Sequence, residues 1–209
     1  MRIIKPSSEI LSYTPNLETM IELAGRVCYK SEDKITEDSA SEFISKICVN
    51  KHESVLEHGS ITVRFVCDRG VSHELVRHRL ASFSQESTRY CNYSKDKFDN
   101  QITVIEPLFF GKDSDLYNIW YNSCLEAERG YFSLLENGAK AQQARAVLPN
   151  SLKTEIVVTA NPREWLHIFK LRTSREAHPQ MQEVMIPLSR EFATMWPTIF
   201  GEFKDEPTR

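Results

Sequence analysis

The 209-residue chain has seven glycines, and no Gly-rich phosphate loop is built from them. Neither the dinucleotide fingerprint nor a Walker loop is present, so any nucleotide must be held by side chains and helix ends. No apolar run approaches the roughly 20 residues that a membrane helix needs. The opening stretch Met1 to Pro6 is too short and too interrupted to read as a signal peptide, so the expected location is the cytoplasm, away from membranes. There is no Gly-x-Ser-x-Gly elbow to expose a serine nucleophile. The five cysteines, Cys28, Cys48, Cys67, Cys91 and Cys124, are odd in number and form no close pair. That excludes a sequence-readable zinc knuckle and fits free thiols in a reducing compartment.

What remains is ordinary globular composition, 41% hydrophobic and 26% charged, with a net charge of -3. The mild acidity argues against polynucleotide binding, but the charge is unevenly spread. Arg64, Arg69, Arg77, Arg79 and Arg89 crowd one stretch, and Arg145, Lys153, Arg163, Lys170, Arg172 and Arg175 another. Two basic stretches in an acidic chain point to a small anionic ligand.

Hydrophobic periodicity predicts an edge strand over 2–5, helices over 17–29 and 38–49, a polar loop over 50–59 and an alternating strand over 60–67. A short helix over 71–79, a polar β-leaning stretch over 82–90 and a strand over 102–105 follow. The longest helix is expected over 115–137, capped by Asp113 or Ser114 and stopped at Asn137-Gly138. A helix over 139–148 ends at Pro149, and a strand spans 153–160. Asn161-Pro162 then starts a helix to Leu171, with Arg172 just beyond it, and a last helix runs from about Gln180 to Met195. The pattern is α+β: one domain over 1–209, with a central, mostly antiparallel sheet and flanking helices.

Three polar clusters stand out. Arg77-His78-Arg79, with Gln85 to Tyr90 after it, combines guanidinium groups suited to phosphate with hydroxyls and an amide. From the residues alone this is either an anion site with a nucleoside reader or a solvated basic face paired to Glu74 and Glu86. His52-Glu53-Ser54-Val55-Leu56-Glu57-His58 suggests a metallopeptidase, but neither zinc spacing is met, since His would be needed at Leu56 or at Ser54. A non-standard site from His52, Glu57 and His58 stays open beside the reading that they tie down a loop or line a pocket. The third cluster is Arg145 with Asn161, Arg163, His167 and Arg172. Arg163 and His167 share a helix face, and Asn161 sits at a helix N-terminus where free N–H groups attract anions.

The run Arg77-His78-Arg79, seven residues, then Ser87-Thr88-Arg89-Tyr90 resembles the signature of the flavin-dependent thymidylate synthases. His52 to His58, Ala144-Arg145-Ala146-Val147-Leu148-Pro149, Asn161-Pro162-Arg163 and Leu171-Arg172 are similar to flanking motifs of that family. The resemblance implies conversion of dUMP to dTMP, with methylenetetrahydrofolate as carbon donor, reduced FAD as hydride donor and NADPH as reductant. It implies a homotetramer with sites built from several chains, and no metal. By similarity FAD contacts fall on Ser54, Arg77, His78, Arg79, Gln85, Asn161, Pro162, Arg163 and His167. The dUMP contacts fall on Glu74, Leu75, Val76, Arg77, Gln85, Glu86, Ser87, Thr88, Arg89, Arg145 and Arg172. Arg172 takes the family's role of stabilising the uracil ring, and His52 sits near flavin and folate. The family often has Gln where this chain has Glu74, and Asn-Glu where it has Ser84-Gln85. The rival readings are a flavoprotein oxidoreductase acting on another nucleotide and, from a different class, a nucleic-acid-binding module.

Overall fold

The computed structural model describes residues 1–205. In chain order the elements are β1 (Arg2–Ile4), β2 (Ser7–Tyr13), α1 (Leu17–Val27), α2 (Ser39–Val49), β3 (Ile61–Asp68), α3 (Arg69–Leu75), β4 (Ser82–Gln85) and β5 (Thr103–Ile105). They continue with α4 (Asp115–Glu136), α5 (Ala141–Ala144), β6 (Lys153–Ala160), α6 (Pro162–Arg172), α7 (Pro179–Met195) and α8 (Pro197–Phe200). One sheet has the order β2-β3-β6-β4, and β1 pairs with β5 in a small parallel sheet. The architecture is the expected α+β, with a mostly antiparallel main sheet.

The alternation read over 60–67 is seen in β3, where Ile61, Val63 and Phe65 are fully buried. Each such burial contributes about 1.5–3 kcal/mol. The chain forms two compact units. The first comprises Met1–Ser7, Phe65–Arg77 and Ser84–Ile156, and the second Ser8–Arg64, His78–Phe83 and the chain from Val157 on.

In the first unit, Ile102, Val104, Cys124, Tyr131, Ala144 and Leu152 make a core under α4. Ser114 caps that helix, its hydroxyl accepting from the Tyr117 N–H at 3.1 Å. Gly138 takes φ +90° just past its end, a conformation that glycine adopts without a Cβ penalty. In the second unit, Trp165 and Phe169 of α6 pack edge-on against Phe192, and Phe200 and Phe203 close the nest. That aromatic packing fixes one face of α6 inward and turns Arg163 and His167 outward, where both are exposed.

Four sequence expectations are corrected. The strand β2 was not expected, because its polar, serine-rich run lacks an apolar period. The helix expected over 71–79 occupies 69–75, so Arg77, His78 and Arg79 follow it in turns rather than lying on it. The helix expected over 139–148 is a single α turn at 141–144 followed by a 3-10 turn at 145–147. Leu148 must extend before Pro149, which leaves too little chain to propagate a helix. Finally, Arg172 is the last residue of α6 rather than lying beyond it.

Candidate functional site

The nominated residues divide between the two units. The first unit carries Glu74, Leu75, Val76, Arg77, Gln85, Glu86, Ser87, Thr88, Arg89 and Arg145; the second carries Ser54, His78, Arg79, Asn161, Pro162, Arg163, His167 and Arg172.

In the first unit, Asp68 ends β3 and caps α3, its carboxylate accepting from the Val71 N–H at 2.7 Å. That cap sets Arg69 at the helix start. Arg69, His73, Thr88, Arg145, Pro149 and Asn150 line a cleft of about 520 Å³. The Arg145 guanidinium donates to Thr88 Oγ1 at 3.3 Å, which ties the two nominated residues together. The Arg69 Nη1 is buried and has no hydrogen-bond partner among the described residues. An unsatisfied buried guanidinium nitrogen is costly. Arg69, His73 and Asn150 were not nominated from sequence. The usable signal was the Asp-Arg-Gly step directly after a strand, which reads as a helix cap with a cation at its first position.

The turn after β4 is held on both sides. Gln85 donates both amide hydrogens inside the unit, to Ser72 Oγ at 2.8 Å and Thr154 Oγ1 at 3.2 Å. Its carbonyl is the end left for a ligand. Glu86 is gripped by Lys153 at 3.0 Å and by the Tyr93 hydroxyl at 3.2 Å. Lys153 is partly buried, which works against its charge, yet Glu155 and Glu86 hold its pKa above the usual value. The carboxylate of Glu86 therefore serves Lys153 rather than the arginines of the Arg77-His78-Arg79 run. Ser87 Oγ accepts from the Arg89 N–H at 3.3 Å in a local turn. Leu75 is a core side chain, 1% exposed, so it can serve a ligand only through its backbone.

In the second unit, Asn161 caps α6, its side chain accepting from the Glu164 N–H at 2.8 Å. Pro162 occupies the first turn and is buried, so any ligand contact there is made by main chain. Arg163 donates to Glu57 at 2.6 Å and lies 3.7 Å from Glu53, so the 53–57 turn is tied to α6. Of the readings for that stretch, this geometry favours the loop tie. Ser54 and Arg79 are exposed.

His78 is 4% exposed, and its Nε2 is hydrogen-bonded within the unit. Nε2 accepts from Arg172 Nε at 3.0 Å and Nδ1 lies 3.5 Å from Glu164 Oε1. His167 stacks edge-on against it, ring centroids 5.7 Å apart. Burial, then Arg172 and His167, lower the His78 pKa to about 4. Burial raises the Glu164 pKa, and His167 opposes the shift. His78, Glu164 and His167 are the one set among the described residues whose potential ligand atoms gather, within 4.8 Å. A dication there would have to displace the Arg172 hydrogen bond and sit beside a permanent positive charge, so the set reads as a packed polar cluster.

The fold is that of an α+β protein whose arginines line a cleft and a helix start without a glycine-rich loop. The family model for thymidylate synthase complementing proteins matches residues 9–198, and the chain belongs to that family. It is 35% identical over 204 residues to the flavin-dependent thymidylate synthase of Geobacter sulfurreducens, covering 92% of this chain and 84% of that protein. It is 34% identical over 191 residues to the Pyrococcus abyssi flavin-dependent thymidylate synthase, covering 88% and 78%. Among solved structures, the UMP/dUMP methylase PolB from Streptomyces cacaoi, bound with 5-Br dUMP, superposes with a TM-score of 0.78 at 22% identity. That match covers 99% of this chain and 100% of the other, and at such identity it speaks for the fold.

Proposed function

We propose that this protein is a flavin-dependent thymidylate synthase, converting dUMP to dTMP as a cytoplasmic homotetramer. Methylenetetrahydrofolate donates the carbon and NADPH supplies the electrons. Family membership supports the reaction class, and the cleft at Arg69, Thr88 and Arg145 is the observation that carries the substrate. Two arginines lining one cleft suit the phosphate of a nucleotide, which accepts such forks bidentately. Ser87, Thr88 and Arg89 extend that site along the nucleotide, with Gln85 offering its carbonyl and Glu86 held aside by Lys153. Main chain from Glu74 to Arg77 completes it.

FAD fits the donor set of the second unit. Arg79 and Arg163 are exposed cations, Arg163 in the first turn of a capped helix, with exposed Ser54 and His167 available for hydrogen bonds. Arg163 would exchange Glu57 and Glu53 for a diphosphate, which is a like-for-like anion swap. Bound and reduced, FAD supplies the hydride that completes the methyl group. The protein's own part is orientation and electrostatics. Arg172 spreads negative charge that develops on the pyrimidine when C5 becomes nucleophilic, and no enzyme thiolate is required. Burial pushes the Cys67 thiol up to about 12 and raises Cys48, Cys91 and Cys124, which disfavours each as a nucleophile.

The reading is tested by the visible spectrum of the purified protein and by tritium release from [5-³H]dUMP. An oxidised-flavin spectrum and folate-dependent release are expected. A colourless protein that takes up no FAD would overturn it.

A further inference from the structure

The motif Arg77-His78-Arg79 places a histidine between two exposed arginines, yet that histidine faces the protein interior. We propose that His78 and Glu164 are positioning residues that hold the Arg172 guanidinium by its Nε edge. The inference rests on the role proposed above for Arg172 at the pyrimidine.

An arginine at the last position of a helix has a long, mobile stem, and orienting it costs rotamer entropy. Here the Nε–H of Arg172 donates to His78 Nε2 at 3.0 Å. A nitrogen that accepts carries no proton, so the imidazole proton lies on Nδ1. That nitrogen faces Glu164 Oε1 at 3.5 Å. Glu164 is itself seated in the first turn of α6, where the Asn161 side chain accepts from its backbone N–H at 2.8 Å. The chain Glu164, His78, Arg172 thus begins in the first turn of α6 and returns to the last residue of the same helix. His167, edge-on at 5.7 Å, closes the remaining side of the ring.

The identity of the middle group matters. A carboxylate at Nε would orient the guanidinium and also neutralise it. An imidazole kept neutral by burial orients it without adding a neutralising charge of its own. Because the guanidinium is planar, fixing Nε fixes the plane in which both Nη groups lie. Glu164, in turn, faces Nδ1 at 3.5 Å, where its carboxylate favours a proton on that nitrogen, as a carboxylate does behind other oriented imidazoles. Neither His78 nor Glu164 needs to touch the substrate.

The test uses the flavin-loaded enzyme. Single-turnover oxidation of reduced enzyme at saturating dUMP and methylenetetrahydrofolate is compared across His78→Leu, His78→Gln and Glu164→Gln, with FAD content and dUMP affinity measured in each. His78→Leu is expected to slow the step about 10- to 100-fold with dUMP affinity little changed, as for other misplaced catalytic groups. His78→Gln, whose amide oxygen can accept from Arg172, is expected to recover most of that loss. Glu164→Gln, a smaller change, slows the same step should the leucine variant fail to fold. In an Arg172→Ala background, His78→Leu should add no further loss. By ¹⁵N NMR of the resting protein, His78 should appear as the Nδ1–H tautomer, with an Arg172 Nε–H that exchanges slowly and loses protection in His78→Leu. Normal rates in folded, flavin-loaded His78→Leu beside a slow Arg172→Ala would overturn the proposal, as would additive losses or an Nε2-protonated ring. Should Arg172→Ala turn over normally, the assigned role of Arg172 fails instead, and the NMR measurement alone decides the positioning.

Discussion

Ser87 and Arg172 make opposite claims on the chemistry. A nucleophilic serine needs a base, and the nearest histidine in sequence, His78, is buried with its Nε2 already accepting from Arg172. Ser87 Oγ instead accepts a turn hydrogen bond from the Arg89 N–H. Ser87→Ala should therefore weaken dUMP binding, by about 0.5–1.5 kcal/mol for a neutral bond and up to about 3 for a charged one. Arg172→Ala should lower the single-turnover rate by a factor on the order of 10² or more. Arg172→Lys should rescue little, because an ammonium lacks the planar fork. Inactive Ser87→Ala beside a nearly normal Arg172→Ala would reverse these roles. His78 also has a consequence for stability. Its pKa falls from 6.5 to about 4 on folding, with Glu164, His167 and Arg172 as the charged or titratable groups facing it. The unfolded chain then binds a proton that the folded one refuses. The stability His78 contributes is present above pH 6.5 and is lost as pH falls through that window toward 4. The slope approaches about 1.4 kcal/mol per pH unit for one proton. Urea midpoints measured across this range should fall more steeply for the parent protein than for His78→Gln, and parallel curves would contradict the assignment.

At the scale of elements, α6 is the part on which the second unit's site hangs. Asn161 caps it, Glu164 sits in its first turn, Arg163 and His167 share its outer face, and Arg172 ends it. Removing the cap with Asn161→Ala should cost about 1 kcal/mol, within the 0.5–2 range for such caps, and Asn161→Asp should retain most of it. Chemical denaturation checks this, with a shifted midpoint and an unchanged slope; no shift would mean that the cap is idle. This helix was legible in the sequence because Asn-Pro is a start signal with a mechanism, and the aromatic period fixes its inner face. The alternating strand β3 was legible for a similar reason. Less could be read where the signal is tertiary. The edge strand β2 takes its conformation from a neighbour rather than from its own serine-rich pattern. The resemblance named Arg145, Thr88 and Arg172 as dUMP contacts, but it could not say which partners they take within the chain. Thr88 with Arg145, Glu86 with Lys153 and His78 with Glu164 join positions far apart in the chain, and no local spacing encodes them. Arg69 escaped nomination because its one local signal, a cation at a capped helix start, says little until the cleft it lines is seen.

For the whole molecule, two expectations concern what the chain does without and what it needs beyond itself. Cys67 and Cys124 are buried, so alanine is the replacement of choice there, and serine at Cys28, Cys48 and Cys91. This five-fold variant should still release tritium from labelled dUMP at a measurable rate once folded and loaded with FAD. Complete loss would return the chemistry to a thiolate. Assembly is the larger question. Leu116 and Ile119 on α4 are 58% and 63% exposed, and Leu108 and Phe109 nearby in sequence are also exposed. On α1, Met20, Leu23 and Val27 are each more than 40% exposed and recur at the spacing of one helix face. A soluble monomer rarely presents such apolar stripes, which on oligomers lie in interfaces. Without a glycine-rich loop, a flavin diphosphate is better enclosed where arginines from several copies converge than on one chain. The expected state at micromolar concentration is therefore a tetramer by sedimentation velocity. Leu116→Lys with Ile119→Lys should shift it toward smaller species and lower FAD retention in parallel, since desolvating two added charges at an interface is strongly unfavourable. A fully active, flavin-loaded monomer would show that the stripes serve some other purpose and that one chain suffices to build the site.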